Sequence, residues 1–178
     1  MPLAARISDL FSKIYTHCYA ARHGIKIGHG CRIRRGATLR VRGGSITLGD
    51  RVHIHPGAML LSYGGHIKVG ERTSINPYSV LYGQGGLTIG RCVRIAAHCV
   101  IVPANHGMAR DKTIHEQPET KKGITIGDDV WLGTGVRVLD GTVIETGAVI
   151  AAGAVARGNL KGYGIYGGVP AKLIRERD

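Results

Sequence analysis

Aliphatic anchors that recur every six residues constrain this chain more than any other feature. Ile27, Ile33 and Leu39 form one run. Leu48, Ile54 and Leu60 form the next, then Val69, Ile75 and Leu81, then Ile89, Ile95 and Ile101. The last run is longer: Ile126, Leu132, Val138, Ile144 and Ile150. An α-helix repeats its apolar stripe about every 3.6 residues and a one-sided strand every second residue, so neither produces this period. A short strand followed by a tight corner does. Three such sides close one coil, and stacked coils pair as parallel strands about 4.8 Å apart.

A coarser repeat agrees. The pattern aliphatic-x-aliphatic-Gly begins at Ile25, Ile46, Ile67, Leu87 and Ile124, in steps of 21, 21, 20 and 37 residues. Glycine suits corners that need special backbone angles or close approach. The 28 glycines also speak against a helical bundle, where each interior Gly costs about 1 kcal/mol relative to Ala. Collagen is excluded because the glycines keep no three-residue period and prolines number only 6. One Trp and one Phe exclude an aromatic-centred sandwich. The expected fold is all-β, a parallel β-helical solenoid.

The long step marks an insertion at residues 102–123, polar, with Pro103 and Pro118 and two histidines, His106 and His115. A long loop on a rigid scaffold is usually functional or disordered, and the histidines favour function. The expected division is an N-terminal helical cap at 1–24, the repeat at 25–160 and a tail at 161–178. In the cap, Leu3, Ile7, Leu10, Phe11, Ile14, Tyr15 and Cys18 make one helical stripe, expected to pack on the open end of the stack. A membrane-surface helix is the alternative, given Arg6, Lys13 and Arg22. Pro170 is expected to open a short C-terminal helix.

Net charge is +12, and from Arg6 to Arg42 nine basic residues face one acid, Asp9. Such a chain attracts something anionic: nucleic acid, a membrane surface or a phosphorylated small molecule. The four cysteines form no CxxC pair and are expected to be reduced thiols. No apolar run is long enough to span a membrane and the N-terminus lacks a signal-peptide layout, so the expected location is cytoplasmic, with the inner face of the membrane left open.

The hexads, the segment Ile126-Gly127-Asp128-Asp129-Val130-Trp131-Leu132-Gly133 after a His-bearing loop, and the closing Gly168-Val169-Pro170-Ala171-Lys172 with Arg175 together resemble the hexapeptide-repeat acyltransferases. The likeness runs from about Ile25 to Arg177 and is greatest to bacterial polysaccharide and sugar O-acetyltransferases, near the galactoside and maltose enzymes. It implies a left-handed parallel β-helix, acetyl-CoA as acyl donor, no metal, a carbohydrate acceptor, and a homotrimer with active sites between subunits.

The resemblance places the catalytic histidine at His106. The chemistry suits it, because a sugar hydroxyl is a poor nucleophile until a neutral imidazole takes its proton. Asn105 and Asn76 are candidate oxyanion donors. Asp111 and Glu116 are the nearest acids that would orient the ring. Trp131, Thr134 and Ala152 are implied along the CoA arm, with Lys172 and Arg175 near its phosphates. Arg157 stands where the family often has a lysine, shifted by one residue. Acceptor contacts are expected from Asn76, Tyr78, Tyr82 and Gln84, one coil before the loop.

Other readings remain open here. They are N-acetylation of an amino sugar or xenobiotic on the same fold, a basic solenoid binding an anionic glycan or nucleic acid without catalysis, and a zinc enzyme resembling γ-class carbonic anhydrases. Stacking aromatics are too scarce for a typical nucleic-acid surface. The eight- and nine-residue spacing of His98, His106 and His115 does not match the zinc pattern.

Overall fold

The computed structural model describes residues 3–178, with side-chain surroundings from Leu10 onward. A helix, α1 (Leu3–Arg22), leads into a three-sided parallel β-solenoid, the architecture of the left-handed β-helix. The first face stacks seven strands, from Lys26–Ile27 to Asn159–Leu160. The second runs from Arg32–Ile33 to Gly164–Gly167 and then Lys172–Glu176, and the third from Thr38–Arg40 to Val155–Ala156.

Register follows the hexads rung by rung. Ile27, Leu48, Val69, Ile89, Ile126 and Ile144 pair in sequence along the first face. Ile33, Ile54, Ile75, Ile95, Leu132 and Ile150 do so on the second. Leu39, Leu60, Leu81, Ile101 and Val138 do so on the third. The 37-residue step leaves no gap, because Ile89 pairs directly with Ile126 and the insertion is extruded. Nearly all rungs are wholly buried, so the core is three aliphatic ladders with Tyr166 as a late aromatic rung.

Outward positions differ by face. The first shows Lys26, Thr47, Lys68 and Thr88. The third shows Thr38, Met59, Val80, Val100, Arg137 and Val155. The second shows Arg32, His53, Ser74, Arg94 and Trp131.

Tight corners explain the glycines. Gly57 has φ +74°, and a Cβ there would lie 2.5 Å from the ring of Tyr78 on the next coil. Tyr78 and His98 occupy successive corners at φ 60° each, and their rings stack at 5.3 Å.

The two ends are closed differently. The edge amides of the first coil are capped from α1: the N–H of Ile33 donates to Thr16 Oγ1 at 3.0 Å, and that of Leu39 to Tyr19 Oη at 3.0 Å. The helix lies over this end of the stack with Thr16, Tyr19 and Ala20 inward. Leu10, Phe11, Ile14 and Cys18 of the expected packing stripe are exposed. Leu3 and Ile7 fall where side chains are not described. At the other end the expected short helix is a strand, Lys172–Glu176, antiparallel to Gly164–Gly167. The chain reverses after Pro170 and covers the exposed sheet edge, which a helix would leave unpaired.

The second face carries a pH-sensitive pair. Burial first, then His55, Arg32, Arg34 and Arg94, pushes the His53 imidazole below its ordinary value, and burial and Arg34 do the same to His55. A lowered folded value means that the unfolded chain takes up the proton first, so this contribution is present above about pH 6.5 and lost as pH falls below it. Melting followed by circular dichroism should therefore show a lower Tm at pH 5.5 than at pH 7.5. The double variant His53→Gln, His55→Gln should flatten that difference, and an unchanged slope in it refutes the assignment.

Candidate active site

The insertion is more ordered than a plain loop. Asn105–His106 pairs antiparallel with Glu119–Thr120, and a short 3₁₀ turn, Ile114–Glu116, lies between. Gln117, buried at the base, holds the tip together. Its Nε2 donates to the carbonyls of Ala109 and Lys112 at 3.0 Å each, and its Oε1 accepts the Ala109 N–H at 2.7 Å. Asp140 fixes the return, accepting the N–H groups of Lys122 and Gly123 at 3.0 Å.

This frame presents His106 at the mouth of a groove of about 640 Å³, lined also by Asn105, Met108, Leu139, Asp140 and Arg157. Across the ladder, His106 Nε2 lies 4.0 Å from Glu119 Oε1, and the other Glu119 oxygen pairs with Lys121 Nζ at 3.2 Å. The backbone N–H of His106 donates to Asn105 Oδ1 at 3.0 Å. Glu119 is thus the carboxylate at the ring. The two expected orienting acids sit elsewhere: Glu116 accepts from the hydroxyl and N–H of Thr113, closing the 3₁₀ turn, and Asp111 is exposed on the tip.

Of the CoA candidates, Arg157 alone shares the groove with His106. Trp131, 54% exposed, heads an outward column on the second face that continues through Val149 and Ile165 to Arg175. Thr134 and Ala152 lie at the adjoining corner, where Gly153 N–H donates to the Thr134 carbonyl at 2.8 Å. Lys172 opens the last strand, exposed. The third face separates this group from His106, so one chain does not bring the two together.

The acceptor candidates also divide. Tyr82 ends a third-face strand and stacks on Tyr63 at 5.9 Å. Gln84 buries its Oε1 without a hydrogen-bond partner. It neighbours Gly85, where a Cβ would meet the Pro103 carbonyl at 1.7 Å, so this corner lies directly under the loop's start. Asn76 is one corner away and donates to the Ile95 carbonyl at 2.8 Å, a bond that serves the coil. Cys99, beside His98, is buried and donates to the Gly133 carbonyl, and burial pushes its thiol up, which makes it a poor nucleophile. Among the described residues no three metal-ligating side chains gather.

Gln117 and Glu119 were missed from sequence, since neither carries a periodic signal. If Gln117 orders the tip, Gln117→Ala should speed tryptic cleavage after Arg110 and Lys112 by about tenfold or more, through local opening. The melting temperature, set by the aliphatic ladders, should hardly move. Cleavage at the wild-type rate assigns the order of the tip to other contacts.

The parallel hexad solenoid with its extruded histidine loop has the architecture of a hexapeptide-repeat fold. Residues 123–158 match the family model of the bacterial transferase hexapeptide (six repeats). A protein named as a lipopolysaccharide biosynthesis O-acetyl transferase, WbbJ of Escherichia coli K12, is 36% identical over 98 residues, 51% of this chain and 50% of that protein. The chain spans half or less of the first curated relatives that it matches. A maltose O-acetyltransferase from Clostridium difficile 630 superposes with a TM-score of 0.64 at 25% identity, over 71% of this chain and 67% of that one. The N-acyltransferase AntD from Bacillus cereus, solved with dTDP and 3-hydroxybutyryl-CoA, superposes with a TM-score of 0.77 at 22% identity, over 91% of this chain and 88% of that one, a likeness of fold.

Proposed function

We propose that this chain is an acetyl-CoA-dependent O-acetyltransferase acting on a carbohydrate hydroxyl. The observation that carries the reading is the His106 groove. It joins an accessible imidazole, a carboxylate across the ladder, an adjacent amide and a cation, Arg157, suited to a phosphate. The named activities of the O-acetyltransferase relatives agree with it.

In this reading His106 takes the proton of the acceptor hydroxyl as its oxygen attacks the thioester carbonyl. The C–S bond then breaks, the acetyl group leaves on the sugar oxygen, and the CoA sulfur departs with the proton from the imidazolium. Glu119, 4.0 Å from the ring, would favour its charged form. Asn105 is the candidate donor to the oxyanion. No acetyl-enzyme is required.

The second half of the site would come from another copy of the chain. Trp131, Thr134, Ala152, Lys172 and Arg175 would accompany the pantetheine arm and phosphates of CoA held against a neighbour's His106. The outward row of the third face, apolar at Met59, Val80 and Val100 before Arg137 interrupts it, is the surface we assign to that homotrimer contact. Tyr82 and Gln84 would face the acceptor.

The test is thiol release from acetyl-CoA against a panel of neutral sugars, amino sugars and oligosaccharides. Acceptor-dependent release with an O-acetylated product is the expected result. A product acetylated on nitrogen moves the assignment to amino-sugar N-acetylation, and absence of CoA binding overturns the reading.

A further inference from the structure

The mounting of α1 leaves an apolar stripe largely exposed. Its hydroxyls and small side chain, Thr16, Tyr19 and Ala20, face the coils. On the opposite side Leu10, Phe11 and Ile14 are 58%, 68% and 50% exposed, and Cys18 and Ala21 continue the stripe. Apolar side chains on one stripe of a helix are ordinarily the ones buried, and here they are the ones displayed.

The surroundings of that stripe are basic. Phe11 and Tyr15 share a groove of about 570 Å³ with Arg34, Arg35 and Pro56. Residues 10–49 contain eight Lys and Arg and no Asp or Glu, against a net charge of +12 for the whole chain. Two thirds of the net charge therefore sits on the helix and the first coil.

We propose that this end of the solenoid docks on an anionic lipid bilayer. Leu10, Phe11 and Ile14 would enter the boundary between headgroups and acyl chains, and Arg34 and Arg35 would meet lipid phosphates. The combination selects this partner. A second copy placed on the stripe would bring two basic surfaces face to face. A nucleic acid would engage the arginines but leave the leucine, phenylalanine and isoleucine in water. The proposal is independent of the acyltransferase reading, because its readout is binding alone.

The experiment is flotation of the full chain with vesicles of pure phosphatidylcholine or of phosphatidylcholine with about 30% phosphatidylglycerol, an anionic surface of the kind that attracts basic segments. The anionic vesicles should bind roughly tenfold more protein, less at high salt. Phe11→Ser with Ile14→Ser, and separately Arg34→Glu with Arg35→Glu, should each lower binding about tenfold with the melting curve unchanged, since these side chains lie outside the core. Equal binding to both vesicle types overturns the proposal. So does anionic binding that the Phe11/Ile14 variant retains, which would mean electrostatic adsorption only. Failure to bind lipid, together with a smaller oligomer in the Phe11/Ile14 variant by light scattering, would assign the stripe to a second copy instead.

Discussion

Replacing His106 by alanine should lower acceptor-dependent acetyl-CoA turnover by roughly 10²- to 10⁴-fold, the range expected for loss of a general base. CoA binding by calorimetry should stay within about twofold of wild type, because the CoA contacts assigned to Arg157 and the second-face column are untouched. Stability should not change either. The His106 side chain is 57% exposed and its one near partner, Glu119, stands 4.0 Å away, too loose and too wet to hold the fold. The three readouts separate a chemical role from a structural one. Turnover that survives the substitution removes His106 from the chemistry, whatever the acceptor.

The largest stability effect is expected from the core. Ile95 is wholly buried and pairs with Ile75 on one side and Leu132 on the other. Ile95→Ala deletes a rung from the middle of a ladder. The cost is about 2–5 kcal/mol for lost transfer energy plus the cavity left behind. For a chain of this size that corresponds to a Tm lower by about 5–15 °C. In a solenoid each coil is stabilised by its immediate neighbours, so an interior rung weakens two interfaces at once. Leu139→Ala, on the exposed wall of the His106 groove, is the matched control and should leave the Tm within a few degrees. Equal losses from both would contradict the ladder account.

The solenoid itself is legible because the six-residue anchor recurs within every coil. The hexads resume at Ile126 after the 37-residue step, and Ile126 pairs with Ile89. Where the hexads stop, legibility stops. Glu119 meets His106 through an antiparallel register thirteen positions away, and nothing in the spacing announces it. Gln117 matters because carbonyls of the loop tip converge on its amide, a fact of three-dimensional closure. The helix illustrates a different failure. Its apolar residues do fall on one stripe from Leu10 onward, but the open end of a β-stack needs acceptors for its unpaired N–H groups more than it needs apolar cover. Thr16 and Tyr19 supply them, and the stripe turns outward. At the C-terminus Pro170 suits a helix start, whereas the free edge at Gly164–Gly167 takes the chain as a strand.

Because Ile33, Ile54, Ile75 and Ile95 stand on one another, height above the helix-bearing end is counted in whole coils. The coil that carries the histidine loop is three steps up, roughly 15 Å at the spacing of paired strands. The body is in effect a ruler graduated in steps of about 4.8 Å. Adding or removing one full coil below the loop would change its reach by one graduation and leave both ends as they are. A partial coil would instead turn the loop onto another face, so the working height can change only in discrete amounts.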